Sequence, residues 1–471
     1  MKIIGREKEQ TALKQYFESG APEFLVLYGR RRVGKTFLIR EFFSGNFDFY
    51  ATGLANGNKG EQLRAWNDAI KNSFGDTEEL ASDWLAAFAL LRKRLEKQKP
   101  SNRKVLFLDE VPWMDTQKSG FLTALEYFWN GWASGRTDIF LIICGSATSW
   151  VVKNILKNRG GLYNRVTRRM RLLPFTMKET EAYLKEKEID FGRYRICEAY
   201  MIFGGVPYYY GLLGRGLSLP QNVDALCFAD DGMLLGELEE LYATLFRNSE
   251  KYIQIVTALS AKAKGLTRDE MIRATGLSSG GGLTQILEEL ELCGFIRAYP
   301  NYMLDENLSL YQLIDPFSLF HLRFIKGKKP RNPRFWTGNL ESPSLSAWKS
   351  YAFEQLCLYH VEQIKQALGL TAISTEISSW RSRKSAPGAQ IDLLIDRKDG
   401  IINLCEMKYS KSEYRITAKE EQLLRNKVAV FEAETRTKKA LHLTMVTTYG
   451  IAKNSHTGHI QSEVLLDDLF K

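Results

Sequence analysis

Residues 24–43 read FLVLYGRRRVGKTFLIREFF, and the fold turns on this stretch. The apolar run from Phe24 to Tyr28 predicts a strand, and the run beginning at Phe37 predicts a helix. Between them, Gly29–Thr36 fits G-x-x-x-x-G-K-[ST], the spacing of a phosphate-binding loop. Glycines let the backbone close around an anion, while successive N–H groups and the helix N-terminus turn their positive ends toward it. The expected nucleotide-binding stretch is therefore Gly29, Arg30, Arg31, Arg32, Val33, Gly34, Lys35, Thr36 and Phe37. Lys35 would reach the β- and γ-phosphates and so also serve catalysis, and the Thr36 hydroxyl would hold Mg2+. An ordinary glycine turn is the bland alternative, and the flanking strand and helix argue against it. The expected ligand is a nucleoside triphosphate.

Such a site needs a second strand that ends in acid. Residues 104–110, KVLFLDE, form a continuous apolar run suited to a strand buried on both faces of a parallel sheet. Asp109 and Glu110 would stand at its carboxyl end, where open α/β sheets place their ligands. Asp109 suits Mg2+ coordination, and Glu110 suits polarising the attacking water. A third run, IFLIICGS (139–146), ends in Ser146. Its hydroxyl would either lie near the γ-phosphate and sense hydrolysis or simply cap the next turn.

These residues resemble the archaeal-type ATPases of the STAND and AAA+ group. The resemblance rests on GREKEQ (5–10), GRRRVGKT, FLDE, ICGS, LYNRVTRRMRLLPFT (162–176), GGVPYYY (204–210) and YQLIDPFSLFHLRFI (311–325). It implies ATP as the nucleotide, a Gly5–Arg6–Glu7 loop near the adenine, and a Gly205–Pro207 turn closing over the base. It also implies Arg165 as a sensor of γ-phosphate charge.

At 471 residues the chain is too long for one core and predicts several domains. With 44% hydrophobic and 25% charged residues it reads as an ordinary globular protein. No stretch reaches the length of a membrane span, and MKIIGREKEQ lacks the apolar centre of a signal peptide. Six scattered cysteines without CxxC pairing read as reduced core residues, so a cytoplasmic location is expected. The five histidines show no ligand spacing, and no zinc site is expected. The net charge of +10 is concentrated in three places. Residues 151–175 carry seven Lys or Arg and no acid, KGKKPRNPR (326–334) carries five, and WRSRK (380–384) three. Basic runs are usually solvated faces; three together fit an electrostatic footprint for DNA.

Residues 177–245 read as helical, broken at GGVP and GLSLP. Beyond them come KYIQIVTALSAKAKG, then LTRDEMIRATG with Thr267 and Glu270 as a capping box and Gly276 as its stop. SSGGGLTQILEELELCGFI and two short strands around NYMLDEN follow, the order of a winged helix. Glu288, Glu289 and Glu291 on its third helix would oppose phosphate, which favours contact with protein or weak contact with DNA.

In the last third, QIDLLID (390–396) and INLCEMKY (402–409) form a hairpin signal around RKDGI. Glu406 and Lys408 share one strand face. A three-residue loop, Lys398–Gly400, sets Asp392 opposite Glu406, whereas a two-residue loop turns it away. In the first register Asp392 and Glu406 would bind Mg2+ or Mn2+, with Lys408 beside them to stabilise charge. This arrangement resembles the PD-(D/E)xK nucleases, which implies Glu354 as an upstream acidic metal ligand and, more weakly, Gln422 in the following helix. The departure is Ala389–Gln390 before the Asp, where the motif has Pro.

The expected fold is α/β. A P-loop NTPase parallel sheet with helices on both faces spans 1–176 and a helical lid 177–245. A winged helix follows at 246–325, a basic linker at 326–345, and a restriction-endonuclease-like α/β domain at 346–471. Expected partners are ATP and DNA, with no membrane; the oligomeric state is left open, a homo-oligomer included. The combined expectation is an ATP-hydrolysing switch joined to a metal-dependent nuclease, or a regulatory ATPase whose last domain binds without cleaving.

Overall fold

The computed structural model describes residues 2–76, 78–98, 103–157, 160–162, 164–246, 248–262, 265–299, 302, 309–327, 332–382 and 389–471. The chain divides into two compact units, residues 1–174 and 175–471.

The first unit is built on five parallel strands: β1 (Glu23–Tyr28), β2 (Phe49–Thr52), β3 (Lys104–Asp109), β4 (Ile139–Gly145) and β5 (Arg168–Arg171). Their order is β2-β3-β4-β1-β5. All of β3 and β4 is buried, because side chains on both sheet faces meet apolar helices. Helix Lys35–Phe42 leaves β1 directly and packs Leu38 and Ile39 into the core with Leu25, Leu27, Phe107 and Ile142. Since all strands run the same way, their carboxyl ends share one edge. There β4 sits between β1 and β3, so the phosphate loop, the acidic pair and Ser146 become neighbours.

The second unit begins with helices Met177–Glu186, Arg193–Phe203, Pro207–Gly211, Leu219–Cys227 and Glu237–Leu245. Helices Ser249–Ser260, Arg268–Thr275 and Gly281–Leu292 then lead into the antiparallel pair β6 (Ile296–Tyr299) and β7 (Leu310–Leu313). Leu266 adds an isolated bridge to Tyr311. Thr267 and Glu270 close the capping box, and Gly276, at φ 70, ends that helix. Of NYMLDEN, only Tyr302 lies within the described residues.

The last sheet is mixed, ordered β12-β11-β10-β9-β8, from β8 (Thr375–Arg381), β9 (Gln390–Arg397), β10 (Ile401–Lys408), β11 (Ala440–Thr447) and β12 (Ser462–Leu465). β8, β9 and β10 pair antiparallel, and β10, β11 and β12 parallel. One face packs Leu394, Leu404 and Met445 against Leu424 and Phe431 of helix Ala418–Thr435. The other packs Leu393, Cys405 and Val446 in a core that also holds Tyr200, Phe203, Trp336, Phe353 and Leu469.

That shared core departs from the expected division. The segment expected as a basic linker contributes a short helix, Phe335–Gly338, with Trp336 buried. The buried Asp224 carboxylate accepts the Trp336 N–H at 2.7 Å and the Thr337 hydroxyl at 2.6 Å, fixing the segment to helix Leu219–Cys227. Trp336 anchors its described part in the core. Residues 328–331 and 383–384 of the two later basic runs lie outside the described residues.

Candidate functional site

The phosphate loop leaves β1 through Gly29, whose φ of 152 and position against β5 both require glycine. A Cβ there would stand 2.2 Å from the Leu172 carbonyl oxygen. Arg32 (φ 71) and Gly34 (φ 92) carry the left-handed turns that curl the loop. Lys35 is buried and donates to the Gly29 and Arg30 carbonyls, each at 2.9 Å. Arg30 and Val33 are buried, Arg31 and Arg32 half-buried, and Phe37 exposed.

The Thr36 hydroxyl donates to Asp109 Oδ2 at 2.8 Å, tying the loop to β3. Glu110, the next residue, has φ 47, a left-handed conformation uncommon for a residue with a Cβ. Its carboxylate accepts the Ser146 hydroxyl at 2.9 Å and the Ser146 N–H at 3.3 Å. Four predicted residues, Thr36, Asp109, Glu110 and Ser146, are thus joined at the edge where the strands end. The Thr36 and Asp109 oxygens are hard donors, which suits Mg2+. Arg6 also reaches this region. At φ 62 it precedes helix Glu7–Phe17, and its buried guanidinium donates to the Val33 carbonyl at 3.3 Å.

Arg165 does not join the set, and its expected role as γ-phosphate sensor within its own chain is corrected here. It is exposed in a turn three residues before β5. Arg168 pairs with Leu25, near the start of β1. At about 3.3 Å per residue the phosphate loop begins roughly 13 Å further along the sheet from that pair. A parallel strand places the residues that precede it at the amino edge, opposite the ligand edge. Pro207 belongs to the second unit, where it begins helix Pro207–Gly211. Gly205 lies against Phe175 there, and a Cβ would meet the Phe175 carbonyl oxygen at 1.9 Å.

The second cluster is assembled across the hairpin. Ile402 pairs with Asp396 and Cys405 with Leu393, around the loop Lys398–Gly400 with Gly400 at φ 90. Continued one step, this register sets Asp392 opposite Glu406. β9 carries an extra residue against β8, since Ser378 pairs with Leu394 and Trp380 with Ile391. The resulting bulge falls at Asp392–Leu393, a place where strands re-aim side chains. Asp392 accepts from Gln390 Nε2 at 2.7 Å. Glu406 meets Lys408 at 2.9 Å through Oε1 and Lys427 at 2.6 Å through Oε2. Burial pushes the Glu406 carboxyl up, but Lys427 and Lys408 more than offset it and hold it below the ordinary range. Glu354, on helix Pro343–Tyr359, is pushed up to about 8 by burial and then by the negative charges of Asp392 and Glu406.

The carboxylates of Glu354, Asp392 and Glu406 share one electrostatic neighbourhood. Among the described residues, no three His, Cys, Asp or Glu side chains are grouped to hold a metal ion. Both Glu406 oxygens are paired with ammonium groups. Oxygen donors suit Mg2+ or Mn2+ in chemistry, yet their arrangement here is that of an ion-pair cluster. Gln422 is exposed. Lys427 was not predicted, although a signal exists: it interrupts the stripe Leu424–Lys427–Phe431, where its neighbours are apolar and buried.

A parallel sheet with a phosphate loop after β1 and an acid at the end of β3 defines a P-loop NTPase domain. More particularly, residues 3–213 match the family described as an ATPase domain predominantly from Archaea, and this part of the chain is an ATPase domain of that type. An uncharacterised protein of Methanocaldococcus jannaschii is 23% identical over 400 residues, covering 83% of this chain and 84% of that one. A Walker-type ATPase of Pyrococcus abyssi is 20% identical with a TM-score of 0.49, covering 68% of this chain and 96% of that one. The ORC2 protein of Aeropyrum pernix is 15% identical with a TM-score of 0.44, covering 68% and 93%. Among the described residues no helix is long and apolar enough to cross a membrane. All six cysteines are buried.

Proposed function

We propose that this chain is an ATP-hydrolysing switch whose second unit engages DNA, with phosphodiester cleavage at the Asp392–Glu406–Lys408 cluster. The observation that supports it most is the Thr36–Asp109 contact, which brings the phosphate loop and the acidic strand to one point. Lys35 exchanges its loop carbonyls for the β- and γ-phosphates. Thr36 and Asp109 are the residues that would hold Mg2+, which neutralises phosphate charge when bound. Glu110 orients and polarises the attacking water, and Ser146 holds the Glu110 carboxylate. Arg6 braces the loop through Val33.

We read residues 246–325 as a winged helix that contacts protein. Glu289 of its third helix accepts the Tyr252 hydroxyl at 2.5 Å and Gln285 at 2.8 Å, so this face is acidic and internally bonded. A second reading of the C-terminal part, binding without cleavage, is favoured by the two lysines that occupy Glu406. The test is a DNA-cleavage assay in Mg2+ and in Mn2+, with and without ATP, on the wild type and Asp392→Ala. Cleavage lost in the variant supports the first reading. Retained DNA binding with no cleavage by either protein supports the second.

A further inference from the structure

Glu110 keeps a left-handed backbone, which a residue with a Cβ adopts only where its surroundings impose it. One neighbour is the segment that follows β2. Gly53 N–H donates to the Asp109 carbonyl at 3.0 Å. Its Cα rests so close to the acidic turn that a Cβ would stand 2.4 Å from the Glu110 carbonyl oxygen and 2.9 Å from Trp113 Cβ. Gly53 is not in the left-handed region, so glycine is required here for space alone.

The segment cannot simply step back, because Gln62 holds it. This side chain, 2% exposed on helix Lys59–Phe74, accepts from Leu54 N–H at 2.9 Å. It donates to the Leu54 carbonyl at 2.7 Å and the Gly57 carbonyl at 3.2 Å. Gly57 leaves room for it, since a Cβ there would lie 2.8 Å from Gln62 Nε2. Asn58 then starts the helix with a capping box completed by Glu61. The loop is pinned at both ends and wedged between Gln62 and the Glu110 backbone.

We infer that Gly53 and Gln62 are positioning residues for ATP hydrolysis, the β2 loop acting as a strut that sets where the Glu110 carboxylate points. The inference rests on the proposed role of Glu110. Ser146 aligns the carboxylate from the β4 side, and the strut fixes the backbone from the β2 side. Gly53 bonds the Asp109 carbonyl and Gln62 bonds the β2 loop, so the effect should fall on turnover more than on nucleotide affinity.

The test uses Gly53→Ala, Gln62→Ala and the isosteric Gln62→Glu, each alone and combined with Glu110→Gln in the full chain. Gln62→Glu keeps the acceptor for Leu54 N–H but loses both donors, and its shape preserves folding. Single-turnover hydrolysis, affinity for a fluorescent ATP analogue and Tm are measured. In an alanine variant a Cβ must gain more than half an ångström of clearance to leave the range that real contacts avoid. Misplacement of this size lowers turnover by roughly ten- to a hundred-fold. Affinity should stay within about two-fold, and no further loss should occur in the Glu110→Gln background. Equal losses in both backgrounds, or folded variants with wild-type turnover, overturn the inference. If Glu110→Gln itself turns over normally, the role of Glu110 falls and the strut with it. If Glu110→Gln is impaired while all three strut variants are not, only the strut falls.

Discussion

The two clusters of charged residues are built by different rules. At the phosphate loop, Asp109, Glu110 and Ser146 stand where buried parallel strands end, and Thr36 opens the helix that follows β1, so the sheet brings all four to one edge. In the second unit, Glu354, Asp392, Glu406, Lys408 and Lys427 come from two helices and two antiparallel strands. Their meeting depends on one loop length and one bulge. The first site is held by hydroxyl and backbone donors, which leave a cation or phosphate able to enter. The second is held by ammonium groups that already satisfy its central carboxylate. A cation entering the second cluster would therefore have to displace a lysine from Glu406.

The largest expected effect tests the first half of that contrast. Glu110→Gln should lower ATP turnover by about 10²–10⁴-fold while nucleotide affinity is retained. Retained turnover would break the assignment. Lys35→Ala should lower turnover by about 10²–10³-fold and weaken ATP binding as well, read by titration with a fluorescent analogue.

The second half is sharpened by Lys427→Met, which frees one Glu406 oxygen. Mn2+ affinity, measured calorimetrically, should rise about ten-fold if these carboxylates can act as ligands. Unchanged affinity would mark the cluster as a packed ion network and nothing more.

Acid should distinguish the units by stability. His360 is buried in the second, where Nδ1–H donates to the Leu356 carbonyl at 2.8 Å and Nε2 accepts Met177 N–H at 3.2 Å. The Nε2 acceptor bond requires the neutral ring, and burial lowers its pKa from 6.5 to about 4. The folded state then binds fewer protons than the unfolded one between these values. Its stabilising contribution, on the order of 3 kcal/mol, is complete above pH 6.5 and lost as pH falls toward 4. His360→Gln should flatten that part of the stability profile, followed by denaturant unfolding; an unchanged slope refutes the assignment. The smallest effect is expected at Arg165→Ala, with turnover per chain changed less than about two-fold, since its turn lies at the opposite sheet edge. A large loss would mean the residue serves another copy's site.

Much of the first site was legible because its determinants are contiguous. The strand, loop and helix around GRRRVGKT and the acid ending KVLFLDE need only local periodicity to be placed. Arg165 was expected from the family resemblance, which does not say at which end of β5 the residue lies. In the hairpin, Gly400 made the loop readable, and hence the facing of Asp392 and Glu406. Lys427 escaped because a lysine in an amphipathic helix usually belongs to the solvated side. The burial of Trp336 was not read because charge density dominates that segment of the sequence.

The core that joins residues 177–234 to the last sheet also has a consequence in time. Tyr200 and Phe203 leave the ribosome long before Phe353, Leu393, Val446 and Leu469, with which they share that core. At about 5–20 residues per second the wait is on the order of ten seconds to a minute. Through that interval the early helices expose the surface that the late strands will cover, whereas the parallel sheet of the first unit is already complete. Slower translation should therefore lower the yield of the second unit selectively, making synthesis rate a determinant of how much of the two-unit protein is recovered.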